Sequence, residues 1–175
     1  MKQKLTHWID KSLKNKILQG QFTQKINEET SLLIIEPLKP EGFWLSVNGS
    51  WERWIEGNWD SWLIGKVCLR TIIAKDINLF IIESKEQFLR EFKELTGKDY
   101  MKLGIVEKWR LSDFHRKLKE KYDGVWLKED PFYKHRLNID FPYFYSWDCE
   151  SICVWNKDKI KFQEMKNGSI FNNNR

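Results

Sequence analysis

The stretch KPEGFWLSVNGSWERW, residues 39–54, predicts three structural features in close succession. Residues 42–47 (GFWLSV) are rich in the aromatic and branched side chains typical of β-strands. Asn48-Gly49 is a strong turn signal, and Ser50 is a favoured helix cap. The two tryptophans that follow are three residues apart and would share one face of a helix. We therefore expect a strand that leads through a tight turn into a helix packed by its tryptophans.

Composition sets the size and class of the domain. The chain has 175 residues, of which 41% are apolar, enough for one domain with a substantial core. Its ten tryptophans suit either a core or a stacking site. Thirty Lys and Arg against 25 Asp and Glu give a net charge of +5, a mild bias toward polyanions. No repeat or linker divides the chain, so we predict one domain over residues 1–166 and a flexible C-terminal tail over 167–175.

The three cysteines indicate a reducing compartment. Cys68, Cys149 and Cys153 are too few for a disulfide framework, and their spacing does not suit a zinc site, so we expect no metal. The N-terminus lacks the apolar segment of a signal peptide, and the longest apolar runs are too short to cross a bilayer. We expect a soluble, cytoplasmic protein that does not engage a membrane.

The remaining patterns predict a mixed fold. A capping box of Ser84 and Gln87 begins a helix that Gly97 ends, and a second helix begins near Ser112. His115 in that helix is expected on the surface. Further strands are expected at residues 31–38, 67–73, 78–82, 125–127 and 151–155. The predicted strands lie near the beginning, middle and end of the chain, with helices between them. This pattern predicts an α+β domain in which strands and helices do not alternate regularly.

Three segments in this order resemble the ADP-ribosyltransferase superfamily, in particular its histidine–tyrosine–glutamate branch with variants in phage and bacterial toxin proteins. They are LTHWI (5–9), GFWLS (42–46) followed by a short helix, and YDGVWL (122–127) leading to ESICVWNKDKIK (150–161). The resemblance implies a split β-sandwich with flanking helices and a cleft for NAD between two small sheets. Two features depart from the family: Trp44 stands where a Tyr is usual, and no Gly-rich phosphate loop follows His7.

The resemblance implies a catalytic role for two acidic residues. Glu150 would stabilise the positive charge that develops on the ribose as the bond to nicotinamide breaks. Asp148, two residues earlier, would orient or deprotonate the acceptor.

Four other residues would bind NAD, which is the substrate that donates ADP-ribose. His7 would bind the ribose hydroxyls, and Gly42 would give the backbone clearance. Trp44 would stack on the nicotinamide ring, and Ser46 completes the set.

The implied function is mono-ADP-ribosylation of a macromolecule, with nucleic acid slightly favoured over protein as the acceptor. A toxin or an effector in phage–bacterium conflict fits this function, and a neutralising antitoxin would be a further partner. Basic and aromatic residues alternate at 14–25 and 132–136, as on a nucleic-acid surface, although such stretches are usually solvated faces. Two alternatives stay open: a non-catalytic module that binds nucleic acid or protein, and an NAD glycohydrolase with water as the acceptor.

Overall fold

Seven strands form a single open sheet in the computed structural model, which describes residues 3–19, 39–58 and 63–165. The strands are β1 Leu5–Asp10, β2 Phe43–Val47, β3 Lys66–Ile73, β4 Leu79–Ile82, β5 Gly124–Leu127, β6 Ser151–Val154 and β7 Ile160–Glu164. They lie in the order β4-β5-β6-β2-β1-β3-β7. β4 and β5 are parallel, and every other neighbouring pair is antiparallel. The strand expected at 31–38 and the tail at 167–175 lie outside the described residues.

Six α-helices accompany the sheet in the described part of the chain. They are α1 Lys14–Leu18, α2 Ser50–Asn58, α3 Lys85–Thr96, α4 Ile105–Lys108, α5 Ser112–Lys121 and α6 Glu129–His135. Short 3-10 helices occur at Lys11–Leu13, Tyr100–Lys102, Pro142–Ser146 and Lys157–Lys159. This arrangement confirms the predicted mixed α+β class. The strands belong to one sheet, however, whereas the resemblance implies two.

The predicted caps of α3 are confirmed. The Ser84 hydroxyl accepts a hydrogen bond from the Gln87 amide at 3.1 Å, and the Gln87 side chain accepts one from the Glu83 amide at 2.9 Å. Gly97 ends the helix with φ of 73°, in the left-handed region that favours glycine. The helix is therefore defined at both ends by local sequence.

The sheet has a hydrophobic core on each face, because side chains of a strand alternate between its two sides. One core packs α3, α5 and the 3-10 helix Pro142–Ser146 against the sheet and is built mainly from aromatic rings, including Phe88, Phe114 and Tyr143. The other core lies on the opposite face and is mostly aliphatic, including Leu45, Leu69 and Ile152. Trp44 of the opening stretch packs against the first core, whereas Trp126 belongs to the second.

The sheet has a weak junction between β1 and β2, which we call the seam. β1 pairs with β3 over six residues, from Leu5 to Asp10, but with β2 only at Leu5↔Val47 and Thr6↔Ser46. Beyond Thr6 the backbones of β1 and β2 no longer pair. The seam thus divides the sheet into a group of four strands and a group of three.

The helices of the described residues are either too short or too polar to span a membrane.

Candidate functional site

A cleft of about 140 Å³ opens at the seam, on the part of the sheet where β1 and β2 separate. Both strands contribute to it, together with α2 and the segment before β6. The residues that line it are Thr6, His7, Trp8, Lys39, Trp44, Leu45, Ser46, Trp51, Asp148 and Ser151. Four of the six residues that the resemblance implicates, His7, Trp44, Ser46 and Asp148, are therefore in one place.

Trp44 forms one wall of the cleft. The Trp44 ring meets the Trp147 ring edge to face, with the two ring centroids 4.9 Å apart. The ammonium of Lys39 lies 5.3 Å from the centroid of the Trp44 ring. Trp147 is fully buried in the aromatic core. The indole of Trp44 is thus partly core and partly cleft wall, which holds it in a fixed orientation.

Asp148 and Lys39 form an ion pair at the edge of the cleft. The Lys39 Nζ atom donates to the Asp148 carboxylate at 2.9 Å. Both side chains are about one-third exposed, so solvent weakens the attraction between them. The pair adds one charge of each sign and leaves the cleft with no net charge from these two residues.

Glu52 lies beneath the cleft and was not anticipated from the sequence. It is on the first turn of α2, 3% exposed, and one carboxylate oxygen accepts from the Thr6 hydroxyl at 2.7 Å and from the Trp8 indole at 3.1 Å. The other oxygen accepts from the Ser46 hydroxyl at 2.5 Å. All three donors line the cleft, so this carboxylate fixes the positions of cleft residues from both strands of the seam.

Ser46 and Ser50 join α2 to the sheet. The Ser46 hydroxyl accepts from the Trp51 amide at 3.2 Å, while the Ser50 hydroxyl donates to the Glu150 carbonyl oxygen at 2.6 Å. Ser50 is itself the first residue of the helix rather than its cap. The Ser46 hydroxyl, from strand β2, therefore accepts from a backbone N–H at the start of α2, where the sequence predicted Ser50 as the cap.

His7 bridges the seam with its side chain. Its Nδ1–H donates to the Trp44 carbonyl oxygen at 2.7 Å, which assigns the ring proton because a carbonyl can only accept. The ring packs against Phe43 and Phe162, on the side of the aliphatic core. Burial lowers the pKa of the imidazole, so it is neutral in the folded protein. Its contacts with the protein are those of a structural link between β1 and β2.

Glu150 directly precedes β6, close to the cleft but with its side chain directed elsewhere. The Trp126 indole donates to one of its carboxylate oxygens at 2.9 Å, and Trp126 belongs to the aliphatic core. Among the described residues, the lining of the cleft includes Asp148 and Ser151 on either side but not Glu150. The two implied catalytic carboxylates therefore point toward different surroundings.

Gly42 lies against β6 rather than in the cleft. A Cβ atom at this position would stand 2.5 Å from the Cys153 sulfur and 2.8 Å from the Val154 carbonyl oxygen. Such contacts are too close for any side chain. The glycine is needed for β6 to approach the start of β2.

The nearby thiol of Cys68 is not a nucleophile at neutral pH. Burial, and next the charge of Glu52, raise its pKa to about 12. The thiol is therefore protonated at neutral pH.

Comparisons with models of known protein families, with curated proteins and with solved structures find no match for this chain.

Proposed function

We propose that the protein is an NAD-dependent mono-ADP-ribosyltransferase that uses the cleft at the seam. The observation that carries this proposal is the meeting of Trp44, Ser46 and Asp148 in one cleft, with two further indoles from Trp8 and Trp51. Indole faces suit the flat nicotinamide ring, and hydroxyl and carboxylate groups suit the ribose. β1 and β2 no longer pair beyond Thr6, which leaves space for a ligand between two groups of strands of the one sheet.

The proposed reaction transfers the ADP-ribosyl group to a macromolecule. The bond between C1′ of the ribose and the nicotinamide nitrogen breaks, and its electron pair leaves with the nicotinamide, which becomes neutral. The ribose C1′ gains positive charge and forms a bond with a nucleophile of the acceptor, which loses a proton. Asp148, which lines the cleft, accepts or orients that proton, and the carboxylate of Glu150, just outside the lining, stabilises the ribose cation by its negative charge.

The carboxylates are tested with labelled NAD and a crude lysate, followed by protease or nuclease treatment of the labelled material. Because one well-placed electrostatic group is worth on the order of 10²–10³ in rate, we expect Glu150→Gln to lose that factor. Asp148→Asn should impair transfer to a polymer more than release of nicotinamide. Asp76→Asn is the matched control, since Asp76 also pairs with a lysine, Lys159, but is exposed in the turn between β3 and β4. Transfer by Glu150→Gln within about threefold of the wild type would remove Glu150 from the mechanism.

The role of Trp44 in binding is tested by calorimetry with NAD. Trp44→Ala should weaken binding while Trp109→Ala, which removes a half-buried indole at the edge of the aromatic core, should not. Loss of a core tryptophan costs about 3–5 kcal/mol of stability. A large fall in melting temperature with unchanged affinity in the folded fraction would instead assign Trp44 to the core.

A second candidate is a non-catalytic module that holds a base of a single-stranded nucleic acid in the same cleft. The observation that favours it is the Glu150 side chain, which is bonded to Trp126 and is not among the residues that line the cleft. Indoles stack on any base, and stacking is worth about 1–3 kcal/mol per base. Binding of an oligonucleotide without release of nicotinamide from NAD would favour this candidate.

A further inference from the structure

The buried carboxylate of Glu52 is held entirely by neutral donors. Its hydrogen bonds come from the Thr6 and Ser46 hydroxyls and the Trp8 indole. No ion pair joins it to a lysine, arginine or histidine of the described chain; the adjacent Arg53 donates instead to the Asn48 carbonyl oxygen. Because neutral donors stabilise a charge without cancelling it, a full negative charge remains beneath the cleft.

The other charged groups of the cleft do not offset this charge. Lys39 and Asp148 both line the cleft and neutralise each other as a pair. His7 is kept neutral by burial. Among the described residues that line the cleft or bond to its lining, Glu52 therefore carries the charge that has no counter-charge, in a partly buried site where charges act more strongly than in water.

The walls of the cleft favour the same sign of ligand charge. Trp8, Trp44 and Trp51 line it, and the face of an indole attracts a cation. Lys39 already uses this property, with its ammonium 5.3 Å from the centre of the Trp44 ring. The negative charge of Glu52 and the electron-rich faces of the indoles therefore both favour a ligand with a positive charge.

We propose that the cleft selects a positively charged aromatic ring over a neutral ring of the same shape, and that Glu52 sets this preference. The identification of the ring as nicotinamide rests on the proposed function. The oxidised nicotinamide of NAD carries a positive charge, and the reduced ring of NADH is neutral. Glu52 is not among the residues that line the cleft, so it acts on the ring through its charge and is a specificity residue rather than a catalytic one.

The test compares two pairs of probes that differ in ring charge. Calorimetry measures the affinity for NAD and NADH, and separately for the cation 1-methylnicotinamide and for neutral nicotinamide. A unit charge several ångströms away in a partly buried site changes affinity by about tenfold, so the wild type should prefer each cation by about that factor. In Glu52→Gln the preference should fall below about threefold, while binding of the neutral rings stays the same.

The variants separate charge from structure. In Glu52→Gln the amide oxygen still accepts from Thr6 and Trp8, and the amide nitrogen donates to the Ser46 hydroxyl. Thr6→Val removes one hydrogen bond and keeps the charge, so it should keep the preference. Glu91→Gln is the matched control, because Glu91 is another buried glutamate but lies on α3, bonded to Lys121 and Tyr122.

The outcomes distinguish this inference from the proposed function. Preference for 1-methylnicotinamide that disappears in Glu52→Gln, together with no binding of NAD, would support the inference and overturn the proposed function. Equal binding of the charged and neutral rings by the wild type would overturn the inference, whether or not Glu52→Gln folds. Retention of the full preference by folded Glu52→Gln, or its loss in Thr6→Val, would overturn it as well.

Discussion

His115 lies on α5 with its imidazole 7% exposed, against the rings of Phe114 and Tyr143. Its expected place on the surface is therefore wrong. The helical spacing that puts Phe114 and Leu118 in the core also turns His115 inward, since residues three apart share a face. Its Nε2 atom has no hydrogen-bond partner in the described part of the chain. Burial lowers the pKa of His115 to about 3, so the ring is neutral when folded.

This burial predicts a loss of stability in mild acid. Between pH 6.5 and 3 the unfolded chain binds a proton at His115 that the folded protein does not, so the free energy of unfolding decreases as pH falls. From pH 7 to pH 5 the expected loss is about 2 kcal/mol, measured by urea unfolding. His115→Phe should remove that part of the slope, and the same change at half-exposed His135, whose pKa burial lowers less, should remove a smaller part. An equal slope in wild type and His115→Phe would contradict this assignment.

Residues of the site could be predicted from the sequence only where they lie in the short segments that resemble the ADP-ribosyltransferase superfamily or next to them. Trp44, Ser46 and Asp148 were indicated by such segments and lie together. Glu52 was not, because a glutamate in the first turn of a helix is ordinarily a solvated residue that favours the helix dipole. Only its three donors, two of them 44 and 46 residues away in sequence, distinguish it. The side-chain direction of Glu150 likewise depends on Trp126, which belongs to another strand.

At the level of elements, local signals predicted β2, α3 and α5 well, because turns, caps and periodicity are encoded within each segment. β7 was missed although its sequence IKFQE alternates, and α6 was missed because Pro131 lies within it. The proline is in the first turn of α6, where it removes no helical hydrogen bond. The seam could not be predicted, since it depends on where two distant strands stop pairing.

The seam gives a prediction for His7. His7→Phe keeps an aromatic ring against Phe43 and Phe162 but removes the hydrogen bond to the Trp44 carbonyl oxygen. Loss of one such bond costs about 1 kcal/mol, and here it would loosen β1 from β2. Hydrogen exchange should therefore increase in these two strands while β3 and β7 keep their protection. A uniform increase over the whole sheet would show that His7 acts through general packing instead.

At the scale of the molecule, the order of the strands in the sheet could not be predicted from the sequence. β7 follows β6 in sequence but pairs with β3 at the other edge, and β1 joins the two groups of strands. Composition predicted the α+β class but says nothing about such crossovers, because many strand orders bury the same apolar residues. The consequence for function is that the seam, and the cleft within it, bring together residues from the beginning, the first third and the end of the chain.

The charge of the whole molecule bears on the acceptor, which we propose is a nucleic acid. Within the stretch 132–136, Tyr133 is 66% exposed and Lys134 pairs with exposed Asp130, whereas Phe132 is buried in the core. Part of the second basic stretch, at residues 20–25, lies outside the described residues. The net charge of +5 is small, so the expected contacts with phosphates are few.

The corresponding prediction is a salt dependence of binding to single-stranded nucleic acid. Neutralising about four phosphates releases counterions, so affinity should fall about 50-fold between 50 and 200 mM salt. Lys134→Glu should flatten this dependence, and Tyr133→Ala should weaken binding without changing its slope, because stacking is not electrostatic. Lys98→Glu, at an exposed site after α3, is the control for net charge alone. Label from NAD that is removed by protease but survives nuclease would contradict a nucleic-acid acceptor and leave the transferase proposal intact.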